Sequence, residues 1–184
     1  MQNRKGIYIM HTVVRGAILV SFAALTSIST SLIGTTEAAH AETSRVATIE
    51  WRSDCYVGKR VMCADQTNNK FAYFEYGKLI YELDARFGPT GVPDISPTRN
   101  GDWKIFRKVK NDWSTLYNVS MPDSMYFSGG EAVHYSADFA ETGYTKTSHG
   151  CINTRDRAAL DYIYGRVKIG DPIHVYGVPP APSI

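Results

Sequence analysis

The chain predicts a mainly β domain, sandwich-like or barrel-like, with one short helix late in the sequence. Three observations carry that expectation. Short alternations of apolar and polar residues recur, enough for about seven strands; glycine- and proline-bearing turns separate them; and helix formers concentrate in one stretch after Cys151.

Residues 1–41 stand apart from the fold. Arg4, Lys5 and Arg15 make a basic start, Ala17 to Leu25 an apolar run, and Ala39-His40-Ala41 a small-residue cleavage site before Glu42, the three parts of a secretory signal. Gly16 to Gly34 carries no charge and is nearly long enough to cross a bilayer, so a retained anchor is the alternative. Either way the remainder is expected to be exported to the envelope, periplasm or exterior. Residues 42–60 form a polar lead, 61–177 the domain, and 178–184 a loose proline-rich tail.

Within the domain, Arg60 to Ala64 predicts a strand ending at the turn-like run Asp65 to Asn69. Phe71 to Glu75 and Lys78 to Leu83 flank Tyr76-Gly77 and alternate in polarity, as a half-buried hairpin does. Gly88 to Gly101 is rich in glycine and proline and reads as a loop. Trp103 to Lys110 alternates as one strand, with Trp103, Ile105 and Val109 on the face that also carries Arg107. Ser124 to Phe127 and Ala132 to Tyr135, joined at Ser128-Gly129-Gly130, predict two more strands, the second delivering His134. The helix is expected from Arg155 to Tyr164, with Thr154 or Asn153 as N-cap. Gly170-Asp171-Pro172 then turns the chain into a last strand, Ile173 to Tyr176.

Without Arg4, Lys5, Arg15 and Glu37, the 20 basic and 18 acidic residues of the chain come into balance, so the net +2 belongs to the leader. A nucleic-acid surface needs a basic excess, and none is present. Beyond the leader stand three cysteines, Cys55, Cys63 and Cys151. Cys55 and Cys63 are close in sequence with Gly58 between them, so a local disulfide is the economical pairing and Cys151 is left as the free thiol.

Cys151 lies in the run Ser148-His149-Gly150-Cys151-Ile152-Asn153, seventeen positions after His134. A cysteine between a histidine and a helix start has two influences that favour its thiolate. The same backbone N–H groups suit an oxyanion, and Gly150 keeps a side chain out of the way. His149 and His134 are both candidate bases. On these residues alone, a zinc site built on His134, His149 and Cys151 remains an alternative, although paired-cysteine spacing is lacking. His174, alternating with apolar neighbours, reads as structural or solvent-facing.

The sequence here resembles the L,D-transpeptidase (YkuD-type) catalytic domain, whose signature is a histidine followed, after a loop, by [Ser/Thr]-His-Gly-Cys-hydrophobe-Asn. In this chain that is His134, thirteen intervening residues, and Ser148 to Asn153. The likeness extends over roughly Val61 to Gly177, through the Phe71 to Leu83 hairpin and the element Thr98-Arg99-Asn100-Gly101-Asp102-Trp103.

The resemblance implies Cys151 as nucleophile, His134 as base, the Tyr135 carbonyl as the group orienting the imidazole, and His149 as a shaper of the site. It implies Gly150 and Cys151 N–H groups as oxyanion donors, with Ser148, Asn153 and Tyr126 on the substrate side. It further implies a peptidoglycan enzyme that needs no cofactor or metal, in keeping with the export expected from the leader; a monomer is expected. The thiolate would attack a tetrapeptide stem, release D-alanine, hold the peptide as a thioester and pass it to an acceptor-stem amine, giving a three-to-three cross-link. Carbapenem-type β-lactams are expected inhibitors. An L,D-carboxypeptidase and an inactive disulfide-stabilised wall-binding domain are the alternatives.

Overall fold

Tyr76 and Gly77 both adopt positive φ, 49° and 73°, in the two-residue turn that pairs Glu75 with Lys78. Such a turn matches the right-handed twist of its strands, and it closes the predicted hairpin of β2 (Lys70–Glu75) and β3 (Lys78–Arg86). The computed structural model describes residues 49–181; the expected signal, the beginning of the lead and the end of the tail lie outside the described residues.

The other strands are β1 (Arg60–Asp65), β4 (Gly101–Lys104), β5 (Arg107–Ser114), β6 (Val119–Ser128), β7 (Glu131–Tyr135), β8 (Ile152–Thr154) and β9 (Pro172–Tyr176). They form one curled sheet in the order β4-β9-β1-β2-β3-β8-β7-β6-β5. The long strand β3 joins its two arms: it pairs with β2 along most of its length, and with β8 through Ala85 and Arg86. The mainly β expectation therefore holds.

Two helices complete the fold, α1 (Ala137–Thr142) and α2 (Arg157–Arg166). α2 buries Ala159, Leu160 and Ile163 in a core shared with Phe71, Tyr73, Met125 and Ile152. A smaller cluster gathers Trp51, Val61, Ala72 and Phe74 around the Cys55–Cys63 disulfide, whose Cα atoms are 6.0 Å apart. The disulfide ties a 3-10 turn (Ser53–Tyr56) to β1, so part of the expected polar lead is docked on the sheet.

Three expectations need correction. Trp103 to Lys110 is two strands, because the chain crosses between sheet arms: the Ile105 N–H donates to Asp171 O and the Phe106 N–H to Tyr126 O. The stretch between His134 and Ser148 holds α1, whose N-cap is Ser136, its hydroxyl accepting from Phe139 N. The late helix begins at Arg157 with Asp156 as N-cap, because Ile152–Thr154 is taken up as strand β8 by its neighbours. Sheet pairing outweighs helix propensity there.

Candidate active site

Strands β7 and β8 run parallel, and parallel neighbours require a crossover, which α1 supplies. Their register sets Val133 against Ile152, His134 against Asn153 and Tyr135 against Thr154. The upstream histidine, on the strand the pattern predicted, is thus set beside the strand that follows the cysteine turn.

The turn itself is held from within and from below. The Ser148 hydroxyl donates to Cys151 O at 2.5 Å and accepts from Gly150 N at 3.3 Å. Gly150 has φ +108°, a conformation glycine supplies without strain. Beneath it, Ser148 N donates to Phe87 O, and Thr98 clasps Gly88 through two hydrogen bonds of 2.9 Å. Gly88 packs so closely that a Cβ there would sit 2.8 Å from Gly150 N and clash with Ser96 O. Gly88→Ala should therefore cost about 1–3 kcal/mol of stability, as overpacking does, and slow any reaction of Cys151. Urea unfolding with a parallel thiol-reactivity assay measures both; unchanged values would mean that the turn tolerates displacement.

His134 is buried, and its Nδ1 lies 2.8 Å from Tyr135 O. Its Nε2 lies 2.9 Å from the Asn153 carboxamide nitrogen. An amide N–H and a carbonyl on opposite sides of the ring assign one tautomer: Nδ1 carries the proton and Nε2 a lone pair. The unprotonated ring nitrogen is thus Nε2. Burial pushes its pKa down from 6.5 to about 4, the Arg86 charge adds to the effect, and the Tyr135 carbonyl and Asp112 oppose it.

Cys151 is the free cysteine. Its Sγ faces the β6–β7 turn, 4.0 Å from Gly130 O. Burial raises the thiol from 9.0 to about 11, reinforced by the carboxylates of Glu131 and Asp112 and opposed by a backbone hydrogen bond from Ala132. The expected helix-dipole support is missing, because α2 starts only after all of β8.

At neutral pH the resting site therefore pairs a neutral thiol with a neutral imidazole. Because only the thiolate alkylates, the reaction of Cys151 with iodoacetamide should be slower at pH 7 than that of an unhindered cysteine and rise steeply through pH 9–11. Rates that level off below pH 8 would contradict this arrangement.

Two clefts open on the turn, of about 760 and 740 Å³. Arg86, Ser136, Lys146 and Asn153 line the first; Arg99, Arg107, Tyr126 and Glu131 line the second. Cys151 and His149 line both, as do Trp113, Leu116, Tyr117 and Met121 of the β5–β6 hairpin. The His149 ring packs on Tyr117 with centroids 4.4 Å apart, so the stacked pair stands where the clefts meet. The His149 ring, the Asn153-bound ring of His134 and Cys151 do not form a metal-ligand cluster among the described residues.

The match that decides the family is with the model of the YkuD L,D-transpeptidase catalytic domain, over residues 59–175. The chain belongs to the L,D-transpeptidase (YkuD) family. Among solved structures, this L,D-transpeptidase domain is similar to an L,D-transpeptidase from Stackebrandtia nassauensis, with 28% identity and a TM-score of 0.58 over 76% of this chain and 63% of that one. An L,D-transpeptidase from Mycobacterium smegmatis shares its fold at 24% identity and a TM-score of 0.56, over 65% of this chain and 59% of that one. An L,D-transpeptidase in complex with imipenem does so at 21% identity and 0.55, over 64% and 59%. The chain thus spans somewhat under two thirds of the length of these structures. Comparison with curated proteins gave no match.

In this L,D-transpeptidase domain the sequence motif leaves several site residues unread. Arg86, Asp112 and Tyr117 all reach the clefts from β3 and the β5–β6 hairpin. None of them left a trace in the sequence: Arg86 follows Leu83-Asp84-Ala85 as one more polar position of an alternating strand. Tyr126 donates its hydroxyl to Asp112 at 2.6 Å beneath the Arg107 guanidinium, so it lines the second cleft with its polar end committed. His174 sits on β9, 2.8 Å from Asp102 of β4, a pairing that joins two strands.

Proposed function

We propose that this domain is an exported peptidoglycan L,D-transpeptidase in which Cys151 is the nucleophile and His134 the general base. The observation that carries the reading is the placement of the one free thiol at the junction of two clefts, one of which is also lined by His134, a buried imidazole whose Nε2 lone pair is unprotonated. Two acyl transfers need two peptides at one sulfur. One cleft would take the donor tetrapeptide and the other the acceptor amine.

In the first transfer the thiol proton moves to Nε2 as sulfur attacks the carbonyl after the third stem residue. The tetrahedral oxyanion requires N–H donors. The Cys151 N–H is the simpler candidate, since that of Gly150 is turned to Ser148 in the resting turn. The leaving amine of D-alanine takes the proton from His134, and a thioester remains. In the second transfer His134 deprotonates the acceptor amine, which displaces the thiolate. No cofactor enters either step. The similar structure in complex with imipenem supports β-lactams of the carbapenem type as acylating agents of Cys151.

A disaccharide-tetrapeptide substrate tests this reading by its products. Release of D-alanine with formation of a cross-linked dimer is the expected outcome. Tripeptide without dimer, even with acceptor amine in excess, would show that water resolves the thioester and that the domain is an L,D-carboxypeptidase. No turnover at all would favour the inactive wall-binding domain.

A further inference from the structure

Arg86 is the last residue of β3, only 5% exposed, and its charge is spent deep beside the proposed base. One terminal nitrogen donates to Asp138 of α1 at 2.8 Å and to the Asn153 carboxamide oxygen at 3.2 Å. The other reaches Thr142 and the Gly143 carbonyl. With its oxygen held, the Asn153 carboxamide must turn its nitrogen toward His134 Nε2, 2.9 Å away. A flipped amide would place one oxygen against the His134 lone pair and the NH₂ group against a guanidinium, two mismatches at once.

We propose that Arg86 is a positioning residue for the base: through Asn153 it fixes the His134 tautomer that leaves the Nε2 lone pair ready for the thiol proton. The idea deepens the acyl-transfer reading above and rests on it. The Asn153 N–H is a placeholder at Nε2 in the resting state. When the S–H bond breaks and its proton forms the new Nε2–H bond, the electron pair stays on sulfur. Nε2 then has no lone pair to offer Asn153, and that hydrogen bond opens as the thiolate forms.

The charged and titratable groups around the imidazole are Arg86 from β3, Asp112 from β5 and Cys151 from the turn, with Asp138 and Lys146 paired behind Arg86. Arg86 is the cation among them that opposes protonation of His134. Its loss should therefore let the ring protonate at higher pH as well as lose its tautomer preference.

The test compares the wild-type chain with Arg86→Gln and Arg86→Lys, each alone and combined with Asn153→Ala. Lysine keeps a charge but not the fork that spans Asp138 and Asn153, so it serves if the glutamine variant fails to fold. Acylation by a carbapenem should slow on the order of 10-fold to 100-fold, by analogy with the loss seen when the hydrogen-bond partners that orient metal-bound histidines are removed, with the half-saturating concentration unchanged. In each double variant the rate should fall no further than in Asn153→Ala alone.

Nitrogen NMR of His134 supplies a readout independent of activity: one Nδ1–H tautomer in wild type, a tautomer mixture and a higher titration midpoint in Arg86→Gln. Additive losses with unaltered His134 spectra would overturn the proposal and leave Arg86 as an anchor for α1. If the wild type itself forms no adduct, the acyl-transfer reading fails, whereas the tautomer measurement still decides the role of Arg86.

Discussion

Cys151→Ala is expected to release no D-alanine from a tetrapeptide stem above background, a loss on the order of 10⁶ in turnover by comparison with other nucleophile removals. Its fold should be unchanged, because the side chain is only partly buried and the turn is held by Ser148, Gly88 and Thr98 rather than by sulfur. Circular dichroism and thermal unfolding check the fold, and D-alanine release checks the chemistry. Residual turnover at a tenth of wild type would mean that another group carries the reaction. Among the described residues Cys151 is the only free thiol, so such a result would remove the thioester from the mechanism.

His134→Gln gives the second large effect. Glutamine retains polarity in the buried site but has no basic lone pair, and loss of a general base costs typically 10²–10⁴ in rate. The resting thiol is raised to about 11 and the imidazole lowered to about 4, so proton transfer between them is uphill until attack is under way. The base is needed in the transition state more than in the ground state. Acylation of His134→Gln by a carbapenem should therefore be slow at pH 7 and recover toward wild type as pH approaches 11, where hydroxide supplies the thiolate. For wild type, acylation falls as pH drops through about 4, where Nε2 takes up a proton. A variant with the wild-type rate at pH 7 would return the base role to His149.

His149 was the alternative base in the sequence, being nearest in number to Cys151. Adjacency along the chain is a poor guide in a turn: His149 lines the same clefts as Cys151, but its ring packs on Tyr117. His134 is remote in number but adjacent in register, and parallel pairing of β7 with β8 explains why. That pairing was partly legible, since the Ala132 to Tyr135 alternation predicted a strand. Its partner was not, because Ile152 to Thr154 is too short to show a period and runs into helix formers.

The same short strand accounts for the misplaced helix start and the absent dipole. Local patterns announced the β2–β3 and β6–β7 hairpins, whose turns are sequence-encoded by Tyr76-Gly77 and Gly129-Gly130. They could not announce the crossing at Ile105 and Phe106, where two backbone N–H groups choose partners far away in sequence. Arg86 and Asp112 belong to the same class: what gives them meaning is the neighbouring strand, not the neighbouring residue.

Whether Cys151 carries the acyl group is read most directly from the intact mass of the purified chain after incubation with a disaccharide-tetrapeptide or with a carbapenem. One covalent adduct per chain is expected, a thioester of the stem less D-alanine or the ring-opened β-lactam, mapped to Cys151 and absent from Cys151→Ala. A folded wild-type chain that stays at its unmodified mass with both reagents would contradict that role for Cys151.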